Sequence, residues 1–244
     1  MTEQEESDFS FFAAEEPKDY YVPKRQDFYE EVDVEGDLYK IKIVGEHRLW
    51  GNYLWNAARC AAKHLYKNPE LVKDKTVIEM GAGGGLPSLV SAHLGAKKTL
   101  LTDYPDQPLI DNLEHNVEIN RHLYPNADVE VRKHLWGKLH EITEKFDVVI
   151  MSDLINNHSA HYDMLETCAH CCIPKETLII CCFTHHQPWK AKKNEKFFKI
   201  ATENNFSFEK LYEEKYPVMF EKDPGEEEVR RTVHMFHMRY NGPK

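Results

Sequence analysis

The 244-residue chain has no long apolar run. Its most hydrophobic stretch, residues 178–183, falls far short of the roughly 20 residues that a membrane helix needs. The first residues, Met1-Thr2-Glu3-Gln4-Glu5-Glu6, are acidic and carry no hydrophobic segment of the secretory kind. No membrane association is therefore expected. Positive charge is also short: 31 Lys and Arg against 41 Asp and Glu leave a formal net charge of -10. Nucleic-acid binding through phosphate neutralisation needs a basic face, so no nucleic-acid partner is expected. Negative charge keeps a protein soluble, and it also suits a basic protein partner.

Cysteine is sparse and poorly spaced for cross-links. The six are Cys60, Cys168, Cys171, Cys172, Cys181 and Cys182. Two adjacent pairs suit reduced thiols in the cytoplasm rather than a disulfide framework. Cys168-Ala169-His170-Cys171-Cys172 has the residue types of a metal site, but no second cluster follows at ligand spacing, so no metal is expected. Asn157-His158-Ser159 matches a glycosylation acceptor, which a cytoplasmic chain does not expose to the modifying machinery. Internal repeats and low-complexity linkers are missing. The length and the 41% hydrophobic content fit one domain with a full-sized core.

What is present is organised around Val77-Ile78-Glu79-Met80-Gly81-Ala82-Gly83-Gly84-Gly85. An apolar run with an acid near its end enters a glycine-rich turn. A helix follows, with Leu86, Leu89, Val90 and Leu94 at helical spacing, Pro87 in its first turn and Gly95 at its end. Such a loop brings backbone N–H groups against a ligand. Asp103, twenty positions after Gly83, ends the next strand, where a carboxylate can accept both ribose hydroxyls of a nucleoside. Further strands are expected over residues 38–44, 129–132, 146–151, 177–183, 206–211 and 232–238. Helices are expected over residues 57–66, 109–117, 162–172 and 190–204. Leu109, Leu113 and Val117 form a buried stripe; Asn112, Asn116 and Asn120 form a second stripe, read as a solvated face that could instead orient the neighbouring loop. Residues 1 to about 30 are acidic, with Phe9, Phe11, Phe12, Tyr20, Tyr21, Phe28 and Tyr29. They read as a tail pinned by aromatic anchors, the alternative being a segment that folds over a substrate cleft.

Strands alternating with helices imply an α/β fold with a parallel sheet covered on both faces. Ligands of such sheets bind beyond the carboxyl ends of the strands. The polar residues there are Glu79 with the glycines, Asp103, Ser152-Asp153 and Thr184-His185-His186. The dinucleotide pattern G-x-G-x-x-G fails, because Leu86 stands at the third glycine position. No P-loop Lys-Ser/Thr follows either. A loop with an acid before it and no basic residue in it suits a nucleoside without pyrophosphate, such as S-adenosylmethionine.

At this point the motifs resemble a known family. Val77 to Gly85 is similar to the first motif of the seven-β-strand S-adenosylmethionine-dependent methyltransferases. Leu49-Trp50-Gly51-Asn52-Tyr53-Leu54-Trp55-Asn56-Ala57, Leu135-Trp136-Gly137 and Ser152-Asp153-Leu154-Ile155 fall in the order of the family 16 protein methyltransferases. Residues 11–23, Leu101-Thr102-Asp103-Tyr104-Pro105, Asn157-His158 and Thr184-His185-His186 resemble the fungal nicotinamide N-methyltransferase-like group, described as N-terminal and lysine methyltransferases of translation elongation factor 1-alpha. The resemblance implies a Rossmann-like, seven-stranded, mostly parallel sheet flanked by helices. Residues 36–244 would form that methyltransferase domain, with residues 1–35 a partly ordered N-terminal extension. It implies S-adenosyl-L-methionine as cofactor and a monomer that takes elongation factor 1-alpha as its protein substrate.

Cofactor contacts would come from Trp55, Glu79, Gly81, Ala82 and Gly83, and from Asp103, Tyr104, Trp136 and Ser152. Asp103 would hold the ribose and Trp136 would lie against the adenine. Sequence alone reads Trp55 as core, and the resemblance overrides that reading. The candidate catalytic residues are Asp153, Asn156, Asn157 and His185, with His186 beside the last. The family's lysine enzymes carry an acid, two residues and then Tyr or Phe; here Asn156 stands in the aromatic position, and Asn156 or Asn157 could accept a hydrogen bond from an amine.

Methyl transfer needs a neutral amine. Deprotonating a lysine of pKa about 10.4 at pH 7 costs roughly 4–5 kcal/mol, against about 1–1.4 for an α-amine near 7.7–8.0. An ionised Asp153 would raise the pKa of a bound amine, so its first expected role is positioning. A small-amine methyltransferase and a non-catalytic cofactor-binding scaffold are the competing expectations.

Overall fold

A computed structural model describes residues 26–45 and 51–243. Phe9, Phe11, Phe12, Tyr20 and Tyr21, and Leu49 and Trp50 of the first tryptophan motif, lie outside the described residues. The strands are β1 (Phe28–Val34), β2 (Asp37–Ile43), β3 (Thr76–Met80), β4 (Lys98–Asp103), β5 (Val129–Lys133), β6 (Val148–Ser152), β7 (Leu178–Thr184), β8 (Phe206–Lys215) and β9 (Thr232–Tyr240). The α-helices are α1 (Asn56–Lys67), α2 (Leu86–His93), α3 (Gln107–Ile119), α4 (His161–Cys171), α5 (Ala191–Glu203) and the short α6 (Glu227–Arg230).

Seven strands form one sheet in the order β5-β4-β3-β6-β7-β9-β8. The first five are parallel, and β9 runs antiparallel to both β7 and β8. The central strands are apolar on both sides because both faces are covered. Successive side chains point to opposite faces. Val77, Ile150, Ile180 and Cys182 therefore join the core under α1 and α2, while Ile78, Val149, Ile179 and Cys181 join the core under α4 and α5. This is the α/β fold that the alternation of strand and helix predicts. Among the described residues no helix is long and apolar enough to cross a membrane. The six cysteines are free and buried. Those of the Cys168–Cys172 stretch pack into the second core, and His170 Nε2 lies 2.7 Å from the Ile142 carbonyl oxygen.

Two findings depart from the expectations. Residues 28–30, read as tail, open strand β1, which pairs antiparallel with β2 through the turn at Glu35-Gly36. The acidic outer face of β1 hides its period, while Val32 and Val34 on its inner face are buried. The expected domain boundary after residue 35 falls on this turn. The second departure is the asparagine stripe of α3, which is buried rather than solvated. Lys42 N–H donates to Asn116 Oδ1 at 2.7 Å, and Asn116 Nδ2 donates to the carbonyls of Lys42 at 2.9 Å and Gly84 at 3.1 Å. Asn120 pairs in the same way with both backbone groups of Lys40, at 2.9 and 2.8 Å. A carboxamide carries a donor and an acceptor, so spaced at i and i+4 it completes the open edge of a strand. The stripe thus ties the hairpin to the glycine loop.

Candidate active site

The glycine loop leaves β3 at its carboxyl end. Gly81, Gly83 and Gly85 have φ of +58, +55 and +79°, the left-handed region that other residues enter only at a cost. At Gly81 a Cβ would also lie 2.7 Å from Leu154 Cδ2 and 3.2 Å from Trp136 Cζ2. Nothing lies within 4 Å of the same position at Gly83, so the loop presents bare backbone there. Gly85 caps α2, whose first N–H groups point back toward the loop.

Two acids flank the loop. Asp103 Oδ2 accepts from Gly83 N–H at 2.7 Å, and Oδ1 accepts from Tyr104 N–H at 2.7 Å. These bonds fix the plane of a carboxylate, whose roughly four acceptor sites suit a ribose diol. Glu79 is fully buried; its Oε2 accepts from Ser88 N–H at 3.0 Å and its Oε1 from Ser152 Oγ at 3.3 Å. Burial pushes its carboxyl up to about 8, although hydrogen bonds from Ser88 and Ser152 pull the other way. It forms no ion pair among the described residues. A buried acid without a cation beside bare loop backbone fits a ligand with a positive methionine end. Tyr104 is exposed, and Trp136 is half-buried against Gly81. Ala82 is buried; its N–H donates to Thr102 O at 2.9 Å and holds the loop to β4.

The other half of the edge is a side-chain network. Asp153 follows Ser152 directly and has a left-handed backbone, φ 61°. Its side chain is 3% exposed. Oδ1 accepts from Thr184 N–H at 3.1 Å and from Asn156 Nδ2 at 3.0 Å, and Oδ2 accepts from His186 Nε2 at 2.9 Å. Asn194 of α5 donates through Nδ2 to Asn156 Oδ1 at 2.9 Å and to His185 Nδ1 at 3.0 Å. The structure therefore brings Asp153 and Asn156 together, and of the two candidate histidines it is His186 that meets Asp153. Adjacent residues leave a strand end in opposite directions, so only one of the two histidines meets Asp153. His185 turns to Asn194 and to the ring of His234, 5.0 Å away; burial, then His234 and His186, push it down to about 4. Asn157 is exposed and accepts from Ser159 Oγ at 3.1 Å, apart from the network.

Aromatic rings border the pair. Trp55 precedes α1, and its ring centroid lies 4.7 Å from that of His186. Tyr53 lies 5.3 Å from Trp55, and Phe220 packs on Tyr53 at 5.0 Å and on Trp55 at 6.0 Å. Arg230, buried, donates to the Phe220 carbonyl at 2.6 Å and holds that segment. Position 156 is an amide, but aromatic edges reach this side of the site from distant segments. Three of these residues carry no distinguishing signal in the sequence. Tyr53 lies inside a tryptophan-rich motif, Phe220 lies in a segment without periodicity, and Asn194 lies among Lys and Glu that mimic a solvated face.

The strand order, the glycine loop and the acid ending β4 define the class: a Rossmann-like enzyme that binds a nucleoside methyl donor. Pyrococcus horikoshii TYW2, solved with MeSAdo, shares this fold with a TM-score of 0.56 and 16% identity over 91% of this chain and 74% of its own. Residues 40–204 match the family model described as lysine methyltransferase, and the chain belongs to that family. It is an S-adenosylmethionine-dependent N-methyltransferase. It is 43% identical over 209 residues to the protein N-terminal and lysine N-methyltransferase efm7 of Schizosaccharomyces pombe, covering 82% of this chain and 81% of that protein. The relative of the same name in Emericella nidulans is 33% identical over 242 residues, 92% of this chain and 93% of its own.

Proposed function

We propose that this enzyme methylates protein amines, namely the N-terminal α-amine and a nearby lysine of translation elongation factor 1-alpha, acting as a monomer in the cytoplasm. The names of the fungal relatives support both kinds of amine. The observation that carries the reading is the pair of buried Asp153 carboxylate and half-buried His186 ring, one residue beyond Ser152 and against the half-buried Trp55, on which Tyr53 and Phe220 pack. An acid with aromatic edges suits the charge and the alkyl stem of an amine.

The cofactor supplies a methyl group on a sulfonium centre. Asp103 would hold its ribose, the Gly81–Gly83 backbone and Glu79 its methionine end, and Trp136 its adenine. Trp55, whose ring lies against His186, borders the acceptor half. Asp153 positions the amine rather than activating it, because its negative charge favours the ammonium form. Holding amine and methyl group in line removes orientational freedom, a contribution of several kcal/mol.

The test is incubation with labelled cofactor and purified elongation factor 1-alpha, followed by peptide mass spectrometry. Label is expected on the N-terminal peptide and on a lysine within it. Absence of label on the intact factor overturns the reading, and methylation of nicotinamide in the same assay would favour a small-amine enzyme.

A further inference from the structure

We propose that His186 is the proton acceptor of the reaction: Asp153 holds its Nε2–H, and Nδ1 takes the proton that the protonated amine must lose. This rests on the reading of a protein amine as substrate. Asp153 receives three donors, from Thr184, Asn156 and His186, and an ionised carboxylate only accepts. The hydrogen between Asp153 and His186 is therefore on Nε2. Nδ1 makes no hydrogen bond to any described residue, and in that tautomer it carries a lone pair.

The orientation is built in depth. Asn194 is buried and donates to Asn156 Oδ1, which turns the Asn156 amide so that its Nδ2 donates to Asp153 and to the Thr184 carbonyl, at 3.0 and 3.2 Å. Asn156 and Asn194 are positioning residues in this scheme. The His186 side chain is 13% exposed and its ring lies against Trp55, so it is shielded but still reachable.

The step balances. The ammonium gives one proton to Nδ1, and His186 becomes an imidazolium. The amine lone pair forms the new N–C bond as the C–S bond breaks, and its electron pair stays on sulfur as a thioether. The positive charge of the sulfonium ends on the methylated amine, and the imidazolium later returns its proton to solvent.

The charged and titratable groups facing His186 are Asp153 after β6, Asp223 in the segment before α6, and its neighbour His185. Burial pushes His186 down, but the charge and hydrogen bond of Asp153, with Asp223 behind them, outweigh it and hold the histidine above its ordinary value. His186 thus becomes competent as pH rises through that raised value.

Two experiments decide. In the wild-type enzyme, imidazole 15N NMR is expected to show neutral His186 with its hydrogen on Nε2 and a protonation midpoint above about 6.5; the opposite tautomer overturns the proposal. In kinetics, His186→Gln keeps a donor for Asp153 and loses the acceptor. Its kcat/KM on a lysine peptide should fall on the order of 10²-fold at pH 7, with cofactor affinity kept. The deficit should shrink about tenfold per pH unit and be gone by about pH 9, because the free-amine fraction of a lysine of pKa near 10.4 rises tenfold per unit and free amine no longer needs the base. A deficit that stays constant with pH overturns the proposal. Where this variant fails to fold, the wild-type profile answers. The acidic limb should fall at the same pH for an α-amine and a lysine acceptor, and a limb that moves with the acceptor's pKa overturns the proposal. Absence of any methyl transfer by wild-type enzyme would instead defeat the substrate reading.

Discussion

The carboxyl edge of the sheet is built in two different ways. Beyond β3 and β4 the site is backbone: glycines with positive φ, N–H groups at the start of a helix, and Asp103 fastened to two main-chain donors. Beyond β6 and β7 it is side chains holding side chains, from Asp153 through Asn156 to Asn194 and His185, with His186 on the other carboxylate oxygen. A methyl donor is the same molecule in every cycle, and main-chain atoms suit a fixed ligand. An acceptor amine must be selected and deprotonated, which needs titratable groups whose orientation can be set.

The comparison can be broken from either side. The largest effect is expected from Asp103→Ala. Losing hydrogen bonds made by a charged group, each about 1.5–3 kcal/mol, should weaken cofactor binding roughly a hundredfold or more. Calorimetry would show this, and unchanged affinity would mean that the ribose lies elsewhere. Asn194→Ala should act on the other half alone. It removes a buried amide bonded to Asn156 and His185 and leaves their polar atoms unsatisfied, a loss of about 1–3 kcal/mol of stability by denaturant titration. Cofactor affinity should hold while kcat falls; a loss of affinity would show that the halves are not separable.

The smallest effect concerns Glu79. Burial pushes its carboxyl up to about 8 with no ion-pair partner among the described residues, and a cationic ligand stabilises the ionised form, so binding should release a proton. Affinity should therefore rise with pH and level off above about 8, and Glu79→Gln should flatten that slope. Calorimetry in buffers of different ionisation enthalpy reads the proton directly, and a slope retained in the variant would assign it to another group.

The donor half was legible because it is local. Glu79, the glycines and Asp103 lie within 25 consecutive residues, from 79 to 103, and each has a residue type that its backbone role demands. The acceptor half was legible only as a set of strand ends. Asp153 and the histidine pair stood out, but nothing in Thr184-His185-His186 says which ring turns toward the acid. Asn194 and Phe220, 41 and 67 positions beyond Asp153, carry no signal of their own. The asparagines of α3 misled for the opposite reason: a polar stripe on a helix reads as solvated unless a strand with an open edge lies over it, and that strand comes 70 to 80 positions earlier.

By itself, the sequence determined the alternation of strand and helix, the parallel core and the glycine loop between β3 and α2. Periodicity, glycine conformation and short βα connections act over a few residues at a time, so these features follow from order along the chain. Only the tertiary structure decided that Asp153 takes His186 and not His185, that Asn194 sets the Asn156 amide, and that Phe220 and Tyr53 pack on the Trp55 ring that lies against His186. Those choices depend on which side chains meet across strands and helices distant in sequence, where burial demands that every polar atom find its partner.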